Sequence, residues 1–150
     1  KEAASNHDFT LSVQDILNFE AEYGKIEAGT FVALRTDWSK RWPDKELFSN
    51  KDKDGHNHIP GWGLEALTFL FTERNISAIG HETFDTDSAA DFRKNGTLNG
   101  EYFVLDQDTY QIELMTNLDK LPPKGAVIFN IVPKPEKASG FPVRSFAILP

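Results

Sequence analysis

Residues 101–125 read EYFVLDQDTYQIELMTNLDKLPPKG and place one carboxylate, Glu113, inside an otherwise apolar and strand-like run at 111–115. A carboxylate is costly to bury unless it is paired, because water solvates the charge far better than a protein interior does. The run therefore predicts that a cation, a metal ion or a hydrogen-bond donor faces Glu113. A strand whose glutamate points into solvent is the alternative that the residues alone leave open.

The segments before this stretch predict a strand, helix, strand unit. Apolar and β-branched residues at 30–36 and 77–80 are typical of buried strands, and residues 60–74 have the periodicity of a helix. A crossover of this kind pairs its two strands in parallel. An earlier helix is predicted from Ser12, with Asp15 completing a capping box, to about residue 24.

The remaining segments complete a mixed α/β domain. The pairs Asn95-Gly96 and Asn99-Gly100 are turn signals, so residues 89–100 are predicted to be an exposed loop. Apolar strands are predicted at 126–132 and 145–149. The sequence thus predicts a single domain over residues 1–150, a mixed layered sheet of four or five strands with two main flanking helices.

Composition narrows the possible partners. The chain has 150 residues, 39% of them hydrophobic, and a formal net charge of −7, which disfavours binding to nucleic acid or an anionic membrane. No apolar stretch approaches the roughly 18 to 20 residues of a membrane span, and no signal-peptide pattern opens the sequence. A cytoplasmic location is expected. Met115 is the only methionine, so Lys1 is not a translation start and an N-terminal portion is expected to be missing.

Two loops carry candidate functional side chains. Trp38 and Arg41 follow the strand at 30–36, where they could bind an anionic or aromatic substrate, or merely anchor the loop. His81 follows the strand at 77–80 and precedes Glu82, Asp85 and Asp87. This position, at the carboxyl end of a predicted parallel strand, suits a catalytic proton shuttle whose pKa a carboxylate raises; a surface histidine near a helix cap is the alternative.

Residues 50–61 resemble half of a calcium-binding loop. Asn50, Asp52, Asp54 and Gly55 fit the first half, but position twelve is Gly61 where a bidentate glutamate is required. A solvated polar loop is the favoured interpretation. His56 and His58 would share one face if this loop were extended, as metal ligands do. No third potential ligand lies nearby at a spacing typical of a metal site.

Several segments, taken in order, resemble the cyclase family of metal-dependent amide hydrolases, which includes kynurenine formamidases and isatin hydrolases. The matching segments are FVALRTDWSKRW, HIPGWGLEALTFL, ISAIGHETFDTDSA, YQIELMTNLDKLPPKGAVIF and SGFPVRSFAILP. They lie within residues 29–150, and the resemblance is to the C-terminal portion of the family. It implies the family's swivelling β/β/α fold, incomplete here at the N-terminus, and assembly into homodimers or tetramers.

The resemblance also implies a metal site. In the formamidase branch a metal-binding histidine is followed twelve positions later by a metal-binding glutamate. Glu113 falls on the second position, and Glu101 stands at the first in place of histidine. Glutamate at both positions would favour manganese or magnesium over zinc; alternatively Glu101 has lost the ligand role. The family's His-x-x-x-His-x-Asp motif does not occur in these 150 residues.

The function implied by the resemblance is hydrolysis of a small amide, an aryl formamide or a cyclic amide, by water bound to a zinc or manganese ion. Glu113 and Glu101 would be ligands, His81 a catalytic candidate, and Trp38 with Arg41 substrate-binding candidates. The family's similar Arg-Thr-x-Trp-Ser-Lys segment supports the last assignment. The competing hypothesis is a non-catalytic binding or assembly domain in which Glu113 pairs with an arginine.

Overall fold

Short helices and strands alternate along most of the chain. The computed structural model describes residues 2–150. Its α-helices are α1 (Glu2–Ser5), α2 (Val13–Tyr23), α3 (Lys45–Ser49), α4 (Leu64–Glu73), α5 (Ala89–Asn95) and α6 (Asn99–Asp106). Its strands are β1 (Thr10–Leu11), β2 (Phe31–Leu34), β3 (Gly61–Trp62), β4 (Ala78–His81), β5 (Gln111–Ile112), β6 (Val127–Ile131) and β7 (Arg144–Ile148). Short 3-10 helices span Trp38–Arg41 and Leu118–Lys120.

Parallel pairing organises the first compact unit, which ends at Asp119. A three-stranded sheet has the order β2-β4-β5, with Leu34 opposite His81 and Gly80 opposite Ile112. A separate parallel pair joins β1 and β3. The predicted crossover and its parallel strands are therefore confirmed, and so is the mixed α/β class. The elements of residues 2–150 outnumber those predicted, because several are only two to five residues long and carry too little periodicity to detect.

The core of this unit lies between the central sheet and the helices. Its largest fully buried apolar side chains include those of Trp62, Leu67, Leu70, Ile79 and Val104. They come from β3, α4, β4 and α6, so a single apolar cluster joins strands and helices of this unit. Removing such surface from water stabilises the fold by roughly 25 cal/mol per Å².

Helix α2 begins as predicted. The Ser12 hydroxyl accepts a hydrogen bond from the Asp15 amide, and the Asp15 carboxylate accepts one from the Ser12 amide, which completes the capping box. Helix α4 begins at Leu64, four residues later than predicted, because Gly61 and Trp62 pair as β3 before the helix starts.

The prediction of an exposed loop at 89–100 is wrong. Ser88 caps α5 by accepting from the Asp91 amide, and Gly96, at φ 72, ends that helix. The Asn95-Gly96 pair is therefore a helix stop. Three residues separate α5 from α6, and the Asp87 carboxylate, which lies before α5, accepts from the amides of Gly100 and Glu101 in the first turn of α6.

The second compact unit, Lys120–Pro150, is built on an antiparallel hairpin. Strands β6 and β7 pair from Val127 opposite Ile148 to Ile131 opposite Arg144, which confirms both predicted strands. Within residues 2–150, no helix is long and apolar enough to cross a membrane. The prediction that residues 1–150 form one domain stays a prediction.

An ion pair links α2 to the end of α4. Arg74 donates from Nε to Glu20 Oε1 at 2.7 Å and from Nη2 to Oε2 at 2.9 Å, and the side chains are only 12% and 10% exposed. The hydrogen bonds from Arg74 are the main reason that the pKa of Glu20 falls from 4.5 to about 2. Because this pKa is lower in the folded state, the pair contributes stability that is present above pH 4.5 and lost as the pH falls toward 2.

We expect Glu20→Gln to lower the Tm near neutral pH by about 2–5 °C and to weaken the loss of stability below pH 4.5. Thermal melts from pH 2 to 7 measure both effects. Glu27→Gln, at an exposed position before β2, is the matched control and should behave as the unmodified protein does. Identical pH profiles for the two variants would contradict this role for the ion pair.

Candidate active site

Glu113 lies just beyond β5, at the carboxyl end of the parallel strands. β5 ends at Ile112, so the strand predicted for 111–115 is shorter than expected. Leu114 has a φ of 55°, and its amide donates to the Thr83 carbonyl at 3.0 Å. The chain therefore turns across the end of β4 and brings Glu113 to the loop that follows β4.

A hydrogen-bond donor faces the Glu113 carboxylate, as predicted. The Nε2 amide of Gln111 lies 3.1 Å from Glu113 Oε1. Glu113 is half-buried, and burial is the main reason that its pKa rises to about 7. The charge of Glu101 is the second cause, and that of Asp85 also contributes. Glu113 is therefore partly desolvated among other carboxylates, and no arginine within residues 2–150 is among the groups that shift its pKa.

Glu101 reaches the same place from the first turn of α6. The Asp87 carboxylate accepts from the amides of Gly100 at 2.8 Å and Glu101 at 2.9 Å, which fixes where the helix begins. Burial raises the pKa of Glu101, and the charges of Asp85 and Asp87 raise it further. The fold therefore brings together two glutamates that are twelve positions apart in the sequence.

These carboxylates fit part of a divalent metal site. Like charges in a partly desolvated space oppose each other's ionisation, and a cation among them removes that penalty. Carboxylate oxygens are ligands for manganese and magnesium, and zinc also accepts them. Within residues 2–150, no group of three or more histidine, aspartate or glutamate side chains is arranged to hold a metal by itself. A metal bound by Glu101 and Glu113 would take further ligands from outside this part of the protein.

His81 occupies the end of β4 and is fully buried, with 0% of its surface exposed. Its Nδ1 lies 3.1 Å from the Thr83 carbonyl and 3.0 Å from Thr83 Oγ1, and its Nε2 lies 3.2 Å from Thr86 Oγ1. Burial lowers the pKa of His81 to about 4. The expected carboxylate partner and raised pKa are therefore wrong: threonines surround a ring that is neutral at pH 7.

Trp38 and Arg41 anchor the loop after β2. The Trp38 side chain is 2% exposed, and its indole N–H donates to the Phe48 carbonyl at 2.9 Å. The Arg41 guanidinium lies 3.8 Å from the centre of the Trp38 ring and donates to the Leu47 carbonyl at 3.0 Å. These contacts support the anchoring alternative, and substrate binding by the two side chains stays a prediction.

Glu82 holds the same loop to the end of β4. This carboxylate is 2% exposed and accepts from the Thr36 amide at 2.6 Å and the Ser39 hydroxyl at 2.7 Å. A buried carboxylate with several donors is strongly tied to them, because losing one leaves a desolvated charge. Glu82 therefore has a structural role that its neighbours in the sequence do not reveal.

The loop at 50–61 is held by hydrogen bonds within the loop and by a contact to Asp8. Asp52 Oδ1 accepts from the amides of Asp54 and His56, both at 2.9 Å, and His58 lies between Asp8 at 2.8 Å and Asp52 at 3.3 Å. This agrees with the favoured interpretation of a polar loop. An open cleft of about 400 Å³ beside it contains none of Glu113, Glu101, His81, Trp38 and Arg41; it is lined by Ser5, Asn6, His7, Asp8, Asn50, Lys51, Asp52 and His58.

Two polar residues of the site were not singled out from the sequence. Thr86 Oγ1 donates to Gln111 Oε1 at 2.8 Å, and Gln111 in turn donates to Glu113. Neither residue type is diagnostic, since threonine and glutamine are common on strands and in loops. The only available signal is position: Gln111 precedes Glu113 by two residues, so both side chains point to the same side of an extended chain.

Known proteins are similar to this chain in sequence and in fold. A family model described as putative cyclase matches residues 1–88. Isatin hydrolase of Roseibium aggregatum is 34% identical over 150 residues, which cover 100% of this chain and 56% of that protein. The chain therefore spans about half the length of this curated relative.

Solved structures of isatin hydrolases show the same fold. One, bound to the product analogue thioisatinate, is 34% identical with a TM-score of 0.92, and the match covers 99% of this chain and 56% of the other. Isatin hydrolase A from Ralstonia solanacearum is 35% identical with a TM-score of 0.93, again over 99% and 56% of the two chains. The α/β fold implied by the sequence resemblance is thereby confirmed. Because the family model matches more than half of its residues, this chain belongs to the cyclase family.

Proposed function

We propose that the full-length protein hydrolyses the C–N bond of a small amide, with Glu113 and Glu101 among the ligands of a zinc or manganese ion. The observation that carries this proposal is the pair of partly desolvated carboxylates at the carboxyl end of a parallel sheet. Open α/β sheets place ligands at this edge. The solved relatives, which are isatin hydrolases by name, support a cyclic amide as substrate, and an aryl formamide is the alternative.

The two glutamates would contribute negatively charged oxygen ligands from two different elements, α6 and the segment after β5. A metal ion held there supplies polarisation of the substrate carbonyl and a lowered pKa for water. In the overall reaction an oxygen–carbon bond forms from water, the carbon–nitrogen bond breaks, and one proton passes to the leaving nitrogen.

Residues of this chain keep the carboxylates in place during that reaction. The Gln111 amide binds Glu113, and Asp87 fixes the start of the helix that carries Glu101. Without either of these hydrogen-bonded supports, a carboxylate could turn away from the metal. Loss of such support typically lowers the metal affinity or the activity of a site by about 10- to 100-fold. A small amide substrate and homo-oligomeric assembly are parts of this proposal that rest on family likeness.

Hydrolysis assays on the full-length protein test this function. Isatin and an N-formyl aniline are the two probes, each followed by appearance of its hydrolysis product, before and after treatment with EDTA. We expect turnover of at least one probe, loss of turnover in EDTA, and recovery on adding Mn²⁺ or Zn²⁺. Turnover that is unaffected by complete metal removal would contradict the metal-dependent part, and no turnover of either probe would contradict both proposed substrate classes.

A non-catalytic binding or assembly domain is the second candidate. It is favoured by the glutamate at position 101, where the resemblance implies a histidine. The sequence of the full-length protein before residue 1 distinguishes the two: an intact His-x-x-x-His-x-Asp motif favours the hydrolase, and a degenerate motif favours the binding domain.

A further inference from the structure

His58 lies between two carboxylates that come from different segments of the chain. Its Nδ1 is 2.8 Å from Asp8 Oδ2, and its Nε2 is 3.3 Å from Asp52 Oδ2. Asp8 lies between α1 and β1, whereas Asp52 belongs to the same loop as His58. We call Asp8, His58 and Asp52 the His58 clasp, because together they tie the loop at 50–58 to residues 5–8.

Only a protonated His58 ring satisfies both contacts of the clasp. An imidazolium donates from both nitrogens, while a neutral ring has one N–H and one lone pair. A neutral His58 would therefore turn a lone pair toward one of two carboxylate oxygens, which are themselves acceptors. The hydrogen bond to Asp8 is the main reason that the pKa of His58 rises above its usual 6.5, and the hydrogen bond to Asp52 is the second.

The Asp8 side of the clasp is fixed by Arg93 of α5. The Arg93 Nη2 donates to Asp8 Oδ1 at 2.8 Å, and its Nη1 donates to the Asn57 carbonyl. The charge of Arg93 opposes protonation of His58, but the carboxylates favour it more strongly, so the net change in the pKa of His58 is upward. The contact to Asp52 is the longer of the two, and we expect a neutral ring to give up this one.

Two further histidines lie near the clasp. His56 Nδ1 is 3.6 Å from Asp52 Oδ2, and it contacts only this one carboxylate of the clasp. Burial is the main reason that the pKa of His7 is lowered, and the charges of Arg41 and His58 lower it further. His7 is therefore neutral at pH 7. His58 is the histidine whose proton joins the two segments.

We propose that the His58 clasp is a proton-controlled link that holds together the two walls of the open cleft between residues 5–8 and the loop at 50–58. All three residues of the clasp line this cleft of about 400 Å³. With His58 protonated, the loop is tied to the N-terminal segment. Loss of the proton releases Asp52, and residues 51–55 then separate from that segment.

The sign of the pH dependence follows from the direction of the shift. Because the pKa of His58 is higher in the folded state, the link is fully present below pH 6.5 and is lost as the pH rises through the raised pKa. The link is partly exposed, so its effect is modest and is weakened by salt. None of these contacts involves the glutamates of the proposed metal site.

NMR titration of His58 in the full-length protein tests the first step. We expect a midpoint above pH 6.5. Asp8→Asn and Asp52→Asn should each lower this midpoint, because each change removes one negative charge beside the ring. A midpoint at or below 6.5 in the unmodified protein overturns the proposal, and this result needs no variant to fold.

Cleavage by a lysine-specific protease measures the release of the loop. Lys51 and Lys53 are exposed within the loop, and Lys137, exposed between β6 and β7, reports how the protease itself depends on pH. We expect cleavage after Lys51 and Lys53, relative to Lys137, to rise by about 2- to 5-fold from pH 6 to pH 9. This is the size expected when one partly exposed ion pair is lost and cleavage follows the open population.

Two variants separate the clasp from other effects of pH. His58→Gln is neutral at every pH, so its relative cleavage should already be high at pH 6 and should not change. His56→Gln leaves both contacts of His58 intact and is the matched control, which should keep the pH dependence. Relative cleavage that is flat in the unmodified protein, or that rises equally in His58→Gln, overturns the proposal. Amide hydrolysis enters none of these measurements, so failure of the proposed function would leave their outcome unchanged.

Discussion

Glu113→Gln in the full-length protein is expected to lower kcat for amide hydrolysis by more than about 100-fold, because losing a ligand is more severe than losing its support. Glutamine keeps the shape of the side chain but removes the charge and one of the two oxygens. Steady-state kinetics with the better of the two amide probes measures the loss.

Stability separates this effect from misfolding. Metal-free Glu113→Gln should melt at or above the temperature of the unmodified protein, because the change removes one of several carboxylates crowded in a partly desolvated place. Glu27→Gln is an exposed control with normal kinetics expected. A Glu113→Gln enzyme with unchanged kcat would exclude Glu113 from the metal site.

Gly61→Ala is expected to destabilise the protein by about 3 kcal/mol or more, since overpacking against backbone leaves little room for relaxation. A Cβ at this position would lie 2.5 Å from the Asp87 carbonyl carbon and 2.7 Å from its oxygen. Both are backbone atoms of the segment that also carries the Asp87 cap of α6. Urea unfolding of the full-length protein measures the change.

Gly140→Ala is the matched control for this substitution. A Cβ there meets nothing within 4 Å, so stability should change little. The two variants add the same methyl group and differ in what surrounds it. Equal midpoints for the two variants would show that the close approach of β3 to residues 87–88 is not a constraint on the fold.

The parts of the fold that local chemistry encodes were predictable. The capping box at Ser12 follows from a short pattern, and the parallel pairing of β2 with β4 follows from the order strand, helix, strand along the chain. The helix pair at 89–106 was missed because Asn95-Gly96 signals a turn and a helix stop equally well. Its second helix also starts on the carboxylate of Asp87, a partner twelve residues before the helix, and no local pattern contains that information.

The site was predictable only in part for the same reason. Glu113 is visible as a lone carboxylate in an apolar run, while Glu101 was reached through family resemblance alone. His81 was correctly noticed as unusual, but its neighbours in the sequence are acidic and its neighbours in space are threonines. Hydrogen-bond partners depend on where the β4 loop folds back, which the order of residue types does not specify.

Elemental analysis of the purified full-length protein, compared with Glu113→Gln, tests the central claim most directly. The claim is that the carboxylates of Glu113 and Glu101 form part of a divalent metal site. We predict stoichiometric zinc or manganese in the unmodified protein and little or none in the variant. Metal retained equally by both proteins, or absent from an unmodified protein that hydrolyses its substrate, would contradict it.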